Sequence, residues 1–345
     1  MELGIGMFGD LSVDKTTGKF YNAGLKLNEI LEEIKLADEV GLDVFGLGEH
    51  HRPDYSVSSP EIVLAAAASI TKNIRLMSTV TVLSSAEPVK VYQDFSTIDL
   101  ISGGRAEIGV GRGSFIESFP LFGYNLKDYN QLFEEKLDLL LKINNNEVVS
   151  WNGKLRAPMV DQSVYPRAVN GGKLPVWVAV GGTPESVARA ARLGLPLILA
   201  IIGGDPAQFK PFMDYYRQEY ARHGHDMSKM QTGVHAHTFV SDLPGGIDAQ
   251  FENYAAQMNR IGRDRGWSSY SRAQFNNARS QHGSLFYGDV NEVIDKILQL
   301  HEILGLTRFI GHMDVGSPDH KDMMRSIELF GTKVAPAIRK AVETK

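Results

Sequence analysis

Short apolar runs alternate with amphipathic segments along most of this chain. Residues 3–8 (LGIGMF) and 42–47 (LDVFGL) are typical of strands that are buried on both faces. In residues 27–40, by contrast, hydrophobic side chains recur every three or four positions, which is typical of a helix packed on a core. The helical segments are long enough to cross over between parallel strands. The pattern therefore predicts a parallel sheet.

Eight such strand segments are predicted, nearly every one separated from the next by a helix. They are residues 3–8, 42–47, 74–83, 105–111, 175–182, 196–202, 232–240 and 307–315. Pro60, Pro88 and Pro184 stand at helix starts, where proline is tolerated, and Gly41 stands at a helix end. The alternation predicts an α/β fold, a (β/α)8 TIM barrel that forms a single domain over residues 1–345. A doubly wound sheet is the alternative.

Two segments interrupt the alternation and predict insertions after strands four and seven. Residues from about 114 to 174 contain an amphipathic helix at about 128–143 and a predicted hairpin at 147–159, with a turn at Asn152-Gly153. Residues 243–283 are polar and rich in Arg, Gln and Ser, and we predict an irregular conformation for them. This second insertion is either a mobile lid over a site or a surface insertion.

Composition narrows the classes of function. The chain is 43% hydrophobic and 22% charged, which is ordinary for a soluble enzyme with a large core. Its net charge of -5 gives no electrostatic basis for binding nucleic acid or an anionic membrane. The absence of cysteine excludes disulfides, thiolate nucleophiles and cysteine–zinc sites. Without a signal-peptide pattern or an apolar run of roughly 20 residues, a cytoplasmic protein is expected.

Gly4, Gly6 and Gly9 match the GxGxxG spacing of a dinucleotide-binding loop. That motif requires a strand before it and a helix after it, whereas here it coincides with the first predicted strand and a loop follows. We therefore interpret these glycines as positions of close packing beside a barrel strand.

Barrel enzymes place their reactive side chains at the carboxyl ends of the strands. In this chain those positions carry Glu49-His50-His51, Gly111-Arg112-Gly113, His235, His237, His312 and Asp314. Because neighbouring residues of a strand point to opposite faces, His50 and His51 are poorly placed to share a metal, and we predict no metal site. One of the two, directed into the barrel mouth, is expected to act as an acid or base. For His235 and His237 we expect positions in the core or lining the pocket.

Residues 181–186 (GGTPES) predict an anion site after the fifth strand. Gly181 and Gly182 let backbone N–H groups approach a ligand, and Thr183 and Pro184 suit the start of a helix. A helix N-terminus of this kind attracts phosphate, and Arg112 on the neighbouring strand end would add a positive charge. The alternatives are a capped loop without a ligand and an Arg112 in an ordinary surface ion pair.

Three long segments of the chain resemble the bacterial luciferase-like flavin monooxygenase family. They are residues 47–71, 81–115 and 175–196, and the likeness is strongest over residues 42–133. The resemblance implies a TIM barrel that binds reduced FMN as a co-substrate and uses O2 to oxidise a small organic substrate. It also implies a homodimer, and a reductant that is either a separate flavin reductase or a nicotinamide.

The resemblance implies a role for individual residues. His50 matches the family's acid/base histidine beside the flavin, Thr79 and Val80 fall where the family often has a non-prolyl cis peptide, and Arg112 matches the arginine that reaches the phosphate. The other implied cofactor-binding residues are Glu49, Gly181, Gly182, Thr183 and Ser186. True luciferases have an acidic residue at the position of Gly182, and this departure argues against light emission. Residues after Leu243 occupy the place of the family's mobile loop.

The predicted function is therefore an FMN-dependent monooxygenase acting on a small molecule. The alternatives with the same fold are a dehydrogenase or reductase that uses the deazaflavin F420 and a flavin-binding protein without turnover. A non-flavin barrel such as an aldolase has least support, because no lysine stands at a strand end suited to a Schiff base. Four aromatic residues are candidates either for lining the pocket or for ordinary core positions: Phe8, Phe115, Phe119 and Phe122.

Overall fold

The computed structural model describes residues 1–14, 16–113 and 115–343. The strands in chain order are β1 (Glu2–Met7), β2 (Val44–Leu47), β3 (Arg75–Ser78), β4 (Thr81–Val82), β5 (Ala106–Gly111), β6 (Val148–Trp151), β7 (Met159–Ser163), β8 (Val176–Val180), β9 (Leu197–Ile201), β10 (Thr232–Val240), β11 (Phe286–Gly288) and β12 (Arg308–His312). The predicted strand segments coincide with β1, β2, β3 with β4, β5, β8, β9, β10 and β12.

The longer helices lie between these strands. In chain order the α-helices are α1 (Ala23–Glu39), α2 (Pro60–Ile70), α3 (Pro88–Ser102), α4 (Ser118–Leu121), α5 (Tyr129–Asn145), α6 (Pro184–Arg192), α7 (Lys210–Arg222), α8 (Gly246–Arg265), α9 (Arg272–Arg279), α10 (Val290–Leu304), α11 (His320–Leu329) and α12 (Ala335–Glu343). Among the residues described, no helix is both long enough and apolar enough to span a bilayer.

Eight parallel strands close into a barrel within the described part of the chain. The order of pairing is β1, β2, β3, β5, β8, β9, β10 and β12, and β12 pairs back to β1. At the closing pair, Gly6 of β1 lies beside His312 of β12. An open doubly wound sheet has two edges, so this closure excludes the alternative and confirms the predicted (β/α)8 barrel.

The barrel interior is filled by a small layer of side chains beneath its open end. This layer consists of Val44, Met77, Trp177, Ile198 and Ile310, each no more than 3% exposed. A much larger hydrophobic cluster lies between the strands and the helices around them. The two apolar layers fix the strands, and so they fix the positions at which the strands release polar side chains.

The glycines of β1 allow unusually close packing, as predicted. A Cβ atom at Gly4 would lie 2.3 Å from the carbonyl oxygen of Val44 on the neighbouring strand. One at Gly6 would lie 2.8 Å from Nε2 of His235 on β10, which is two strands away in the barrel. Side chains at these positions would force the strands apart, which accounts for the glycines without a dinucleotide.

The first insertion contains the predicted helix, α5, and the predicted hairpin, in which β6 and β7 pair antiparallel. The prediction of a turn at Asn152-Gly153 was wrong, because residues 152–158 form a longer loop. The carboxylate of Glu135 on α5 accepts hydrogen bonds from the backbone N–H groups of Lys154, Leu155 and Arg156. This contact from outside the hairpin holds the longer loop in place of a tight turn.

The second insertion is mostly helical, and the prediction of an irregular conformation was wrong. It consists of α8 and α9, which pack on the end of β10. Their apolar side chains form a separate cluster with Phe239 and Tyr287, to which α8 contributes Ile247 and Tyr254 and α9 contributes Phe275. The insertion is therefore anchored on the strand that carries His235 and His237.

Candidate active site

A cavity of about 300 Å³ lies at the carboxyl ends of the barrel strands. Every barrel strand, or the loop that follows it, contributes to its wall. Its floor includes Met77, Trp177 and Ile198 from the interior layer, whereas polar side chains stand around its upper wall. A concave site with an apolar floor and a few polar groups is the usual form of a small-molecule site.

His50 stands in this wall within an aromatic enclosure. Its ring contacts those of Phe8, Tyr55 and Phe115, with centroid distances of 4.8, 4.4 and 4.7 Å. On the polar side, Nδ1 of His50 lies 3.8 Å from Oε1 of Glu117. Burial lowers the pKa of His50, and the Glu117 carboxylate opposes that effect. A neutral imidazole that faces a cavity can accept or return a proton.

Glu49 lines the same cavity, and one oxygen of its carboxyl group accepts a hydrogen bond of 2.8 Å from the backbone N–H of Val82. Burial raises the pKa of Glu49 to about 8, despite that hydrogen bond. At neutral pH the carboxyl group is thus mainly protonated and can donate a hydrogen bond. The Val82 contact also ties β2 to the segment after β3, which contains the predicted cis peptide bond between Thr79 and Val80.

Arg112 and Thr183 meet at the rim of the cavity, as predicted. The guanidinium group of Arg112 donates to Oδ1 of Asn130 at 2.7 Å and to Oγ1 of Thr183 at 3.3 Å. The hydroxyl group of Thr183 in turn donates to Oγ of Ser186 at 2.8 Å. Arg112 therefore lies among neutral polar groups, and no carboxylate partner for it is found in the described ranges. The prediction of an ordinary surface ion pair is thereby disfavoured.

The backbone beside these side chains leaves room for a ligand. A Cβ atom at Gly181 would meet no described heavy atom within 4 Å, and Gly182 has a φ of +106°, which strongly favours glycine. The hydroxyl group of Thr183, which could have capped α6, is engaged with Arg112 and Ser186 instead. This rim consists of a guanidinium group, two hydroxyl groups and a bare backbone, the donor set that suits a phosphate.

Three histidines, of which two are buried and His235 is partly buried, form the opposite side of the cavity. His235 and His237 project from β10 and His312 from β12, and the ring centroid of His312 lies 5.1 and 5.4 Å from theirs. Burial lowers the pKa of His235 to about 4 and that of His237 to about 3, and it lowers the pKa of His312 as well. The group is therefore neutral at physiological pH. Nδ1 of His237 is hydrogen-bonded to the hydroxyl group of Tyr254 on α8.

Asp314 supports His312 from below. Nε2 of His312 lies 3.2 Å from Oδ1 of Asp314, and the backbone N–H groups of Phe8, Gly9 and Asp10 donate to the same carboxylate. Ligand atoms of Asp10, His312 and Asp314 lie within 4.8 Å of one another, close enough to hold a cation. Since both Asp314 oxygens already accept backbone hydrogen bonds, we interpret the cluster as a hydrogen-bonded support for the imidazole.

The luciferase-like monooxygenase family matches residues 1–319. The chain belongs to this family. A curated relative, 4-hydroxyprotoasukamycin monooxygenase of Streptomyces nodosus subsp. asukaensis, is 27% identical over 91% of this chain and 87% of its own. The match to the family confirms the resemblance on which the site residues were predicted.

Solved structures of luciferase-like proteins share the fold. A monooxygenase from Streptomyces bottropensis superposes with a TM-score of 0.85 at 21% identity, covering 98% of this chain and 99% of its own. The oxygenating constituent of 3,6-diketocamphane monooxygenase from Pseudomonas putida, in complex with FMN, superposes with a TM-score of 0.76 at 22% identity. The match covers 98% of this chain and 99% of that protein. The F420-dependent tetrahydromethanopterin reductase of Methanopyrus kandleri superposes with a TM-score of 0.71 at 19% identity. The match covers 98% of this chain and 100% of that protein. At these identities the likeness establishes the fold.

The structure brings the predicted site residues of this family member to one end of the barrel. Glu49, His50, Thr79, Val80, Arg112 and Gly181 line the cavity, and Gly182, Thr183 and Ser186 stand at its rim. Of the four candidate aromatic liners, Phe8 lines the cavity and Phe115 packs on His50. Phe119 is fully buried beside Tyr129, which is the alternative of an ordinary core residue, whereas Phe122 is exposed against His51 and fits neither alternative.

Two residues of the candidate site were not predicted from the sequence. Glu117 and Tyr254 lie in the insertions, and each contacts a histidine of the cavity. Tyr254 carried a detectable signal, since Ile247, Phe251, Tyr254 and Met258 recur at helical spacing and place it on the buried face of α8. No pattern in the sequence indicated a role for Glu117, because only the fold places it beside His50.

Proposed function

We propose that the protein is an FMN-dependent monooxygenase that uses reduced flavin and O2 to oxidise a small organic substrate. The observation that carries the proposal is a single cavity with a phosphate-type rim at Arg112 and Thr183 and a neutral acid/base histidine, His50, in the same wall. Membership of the luciferase-like monooxygenase family supports the oxygenase chemistry. The FMN-bound relative of the same fold supports the choice of flavin.

The rim fits the phosphate end of FMN. Arg112 offers a charged donor whose present partners are neutral, Thr183 and Ser186 offer hydroxyl groups, and Gly181 and Gly182 expose their backbone. When bound, reduced flavin would supply the electrons that activate O2. The protein's own contribution is to bind and orient the flavin and to exclude water from the cavity.

His50 is the residue that would move a proton in this site. Its lowered pKa keeps the imidazole neutral at pH 7, and Glu117 orients the ring through its Nδ1 side. The rings of Phe8, Tyr55 and Phe115 shield it from bulk water, which strengthens its interactions with a ligand. Glu49, mainly protonated near pH 7, would donate a hydrogen bond to the bound ligand from the same wall.

F420 is the alternative cofactor, because an F420-dependent reductase shares the fold. An F420 enzyme would transfer a hydride and would not consume O2, so its activity is distinguishable. A flavin-binding protein without turnover is the third candidate. It would bind flavin through the same rim but would not depend on His50.

The deciding experiment is an anaerobic titration of the purified protein with oxidised FMN, reduced FMN and F420, followed by absorbance and fluorescence. O2 is then admitted and its consumption is compared with the hydrogen peroxide formed, with and without candidate substrates. Binding of reduced FMN, with substrate-dependent O2 consumption that exceeds peroxide formation, would support the monooxygenase. Binding of F420 without FMN would replace it by the dehydrogenase or reductase. Binding of neither would refute both proposals.

The proposal includes two partners. A separate flavin reductase, or a nicotinamide used directly, would supply the reduced flavin, and adding each to an O2-consumption assay tests which one supports turnover. We further propose a homodimer in the cytoplasm, and sedimentation equilibrium of the purified protein tests the association.

A further inference from the structure

The histidine side of the cavity has hydrogen-bonding groups that the protein does not use. Nδ1 of His312 and Nε2 of His235 are buried, and neither has a hydrogen-bond partner among the residues that the structure describes. Both histidines line the cavity. A buried polar group without a partner is costly, so a pair of them beside a cavity calls for an explanation.

The fold makes room for these rings. Gly6 on β1 lies near His235, and a Cβ atom at Gly6 would lie only 2.8 Å from Nε2 of His235. Gly6 also lies directly beside His312 in the pairing of β1 with β12. A larger residue at Gly6 would fill this space. Because Gly6 has no side chain, the imidazoles of His235 and His312 fit beside the cavity.

Asp314 determines what His312 can do. Its carboxylate accepts backbone hydrogen bonds on both oxygens, and its Oδ1 lies 3.2 Å from Nε2 of His312, so the carboxylate favours the tautomer with the N–H group at Nε2. A neutral imidazole has one N–H group, and Nδ1 of His312 is therefore left as an acceptor. An acceptor in an apolar surrounding requires a donor from the ligand, such as a hydroxyl group.

Charge limits the class of ligand. His235, His237 and His312 are all neutral because burial lowers their pKa values, so these three side chains supply no positive charge to balance an anion. The anion-binding rim lies elsewhere, since Arg112 follows β5 and β5 is diametrically opposite β12 in the barrel order. The cavity is thus divided into a phosphate end and a neutral, hydrogen-bonding side.

We propose that His312 and His235 form a substrate subsite that binds a neutral organic molecule through its hydroxyl group, with Nδ1 of His312 as the acceptor. This inference deepens the proposed function, and it rests on it for the identity of the ligand as the substrate. His235, 5.1 Å away between ring centroids, supplies a second hydrogen bond to the same oxygen or its neighbour. Tyr254 holds His237 on the adjoining position and links the subsite to α8.

A matched pair of fluorescent probes tests the subsite without flavin turnover. The probes are 2-naphthol and 2-methoxynaphthalene, which have the same ring system but differ in the hydroxyl hydrogen. Burying a hydroxyl group without a partner is unfavourable, so a preference for naphthol requires an acceptor in the cavity. We expect the wild-type protein to bind 2-naphthol about tenfold more tightly than the ether.

Variants assign the preference to the proposed residue. His312→Phe keeps a ring of similar size but removes the acceptor, and both probes should then bind with equal affinity. Ile198→Val alters an apolar residue of the same cavity and should keep the preference. Equal affinities in the wild-type protein, or a preference that survives in His312→Phe, would overturn the proposal. If His312→Phe does not fold, equal affinities of the wild-type protein for the two probes would still overturn the proposal.

A final arm separates a substrate subsite from a cofactor contact. The titrations are repeated with the protein saturated by whichever of FMN and F420 it binds. Retained binding of 2-naphthol supports a subsite for the substrate, whereas its displacement by the flavin would show that the histidines face the cofactor and would overturn the proposal. Because the first arms need no flavin, a failure of the proposed oxygenase activity leaves their result intact.

Discussion

The carboxylate of Glu117 lies 3.8 Å from Nδ1 of His50. The same oxygen lies 3.3 Å from the backbone nitrogen of His51, so a single side chain from the first insertion holds both the ring and the chain at this point. An acid/base histidine needs such an orienting partner, because a ring that rotates freely seldom presents the correct nitrogen. The first insertion therefore completes a site that the barrel begins.

Replacing His50 should impair turnover far more than it impairs flavin binding. His50→Asn removes the group that can move a proton, and general acid–base catalysis contributes about 10²- to 10⁴-fold. We therefore expect kcat of the flavin-dependent reaction to fall by at least about 10²-fold. His51→Asn is the matched control, since the His51 ring lies outside the cavity against Phe122. Equal losses in the two variants would contradict a catalytic role for His50.

Glu117→Gln should move the acidic limb of the pH profile to lower pH. Burial already lowers the pKa of His50, and the negative charge of Glu117 partly offsets this. Removing that charge at nearly constant volume lowers the pKa of His50 further, so the imidazole stays neutral to a more acidic pH. NMR titration of His50 in both proteins measures the shift directly. An unchanged or raised pKa would mean that Glu117 does not act on His50 electrostatically.

Arg112 should distinguish FMN from riboflavin, which lacks the phosphate. Loss of a charge-assisted hydrogen bond costs about 1.5–3 kcal/mol, so Arg112→Gln should weaken FMN binding by roughly 10- to 100-fold. Riboflavin binding should stay nearly the same in this variant. Fluorescence titration of both ligands on both proteins provides the comparison. If FMN and riboflavin lost affinity equally, Arg112 would not be the phosphate ligand.

The barrel and most of the rim were predictable because local sequence determines them. Strands, helix starts and the Gly181-Gly182 loop each depend on residues close together in the chain. Glu117 and the long loop at residues 152–158 were not predictable, because each depends on a contact with a distant element. The apolar residues of α8 recur at helical spacing, but the many polar residues between them give this segment the composition of a loop.

The histidine side of the cavity was predicted only in part. Pocket-lining positions were expected for His235 and His237, and the structure places both in the cavity wall. Their neutrality and the unused nitrogens could not be inferred, because both depend on burial and on how β1 packs against β10 and β12. The sequence shows which strand ends carry polar residues. Whether those residues find hydrogen-bond partners depends on how the strands pack in the closed barrel.

A buried ion pair near the amino ends of the barrel strands should contribute strongly to the free energy of unfolding. Arg308 is 1% exposed and forms a bidentate pair with Glu107, with distances of 2.5 and 3.1 Å, and its Nε donates to Glu2. Breaking a buried pair leaves a charge without its partner, so Glu107→Gln should lower the free energy of unfolding by about 3–5 kcal/mol. Urea denaturation followed by circular dichroism measures this.

A surface variant is the control for that measurement. Lys35 and Glu39 form an exposed pair on α1, and Glu39→Gln should leave the denaturation midpoint nearly unchanged. Flavin affinity should also survive Glu107→Gln in the folded protein, since Glu107 and Arg308 lie beneath the apolar floor of the cavity and neither lines it. A loss of stability no larger than in Glu39→Gln would contradict the role assigned to the buried pair.

Because of His320, the free energy of unfolding should decrease as the pH rises above neutrality. Its two ring nitrogens lie 3.1 and 3.0 Å from carboxylate oxygens of Glu33 and Glu32, and these contacts raise its pKa from the ordinary 6.5 to about 9. Below about pH 6.5 the imidazole is protonated in both states, and the stabilisation is fully present. Between pH 6.5 and 9 the unfolded chain loses the proton first, so stability declines, by about 1 kcal/mol for this partly exposed group.

Comparison with His320→Gln isolates this contribution from other titrating groups. The difference in free energy of unfolding between the wild-type protein and the variant should be largest at pH 6 and should shrink towards zero by about pH 9. A difference that stays constant across this range would mean that His320 stabilises the junction of α1 and α11 by packing, because only an ion pair is lost as the imidazole loses its proton.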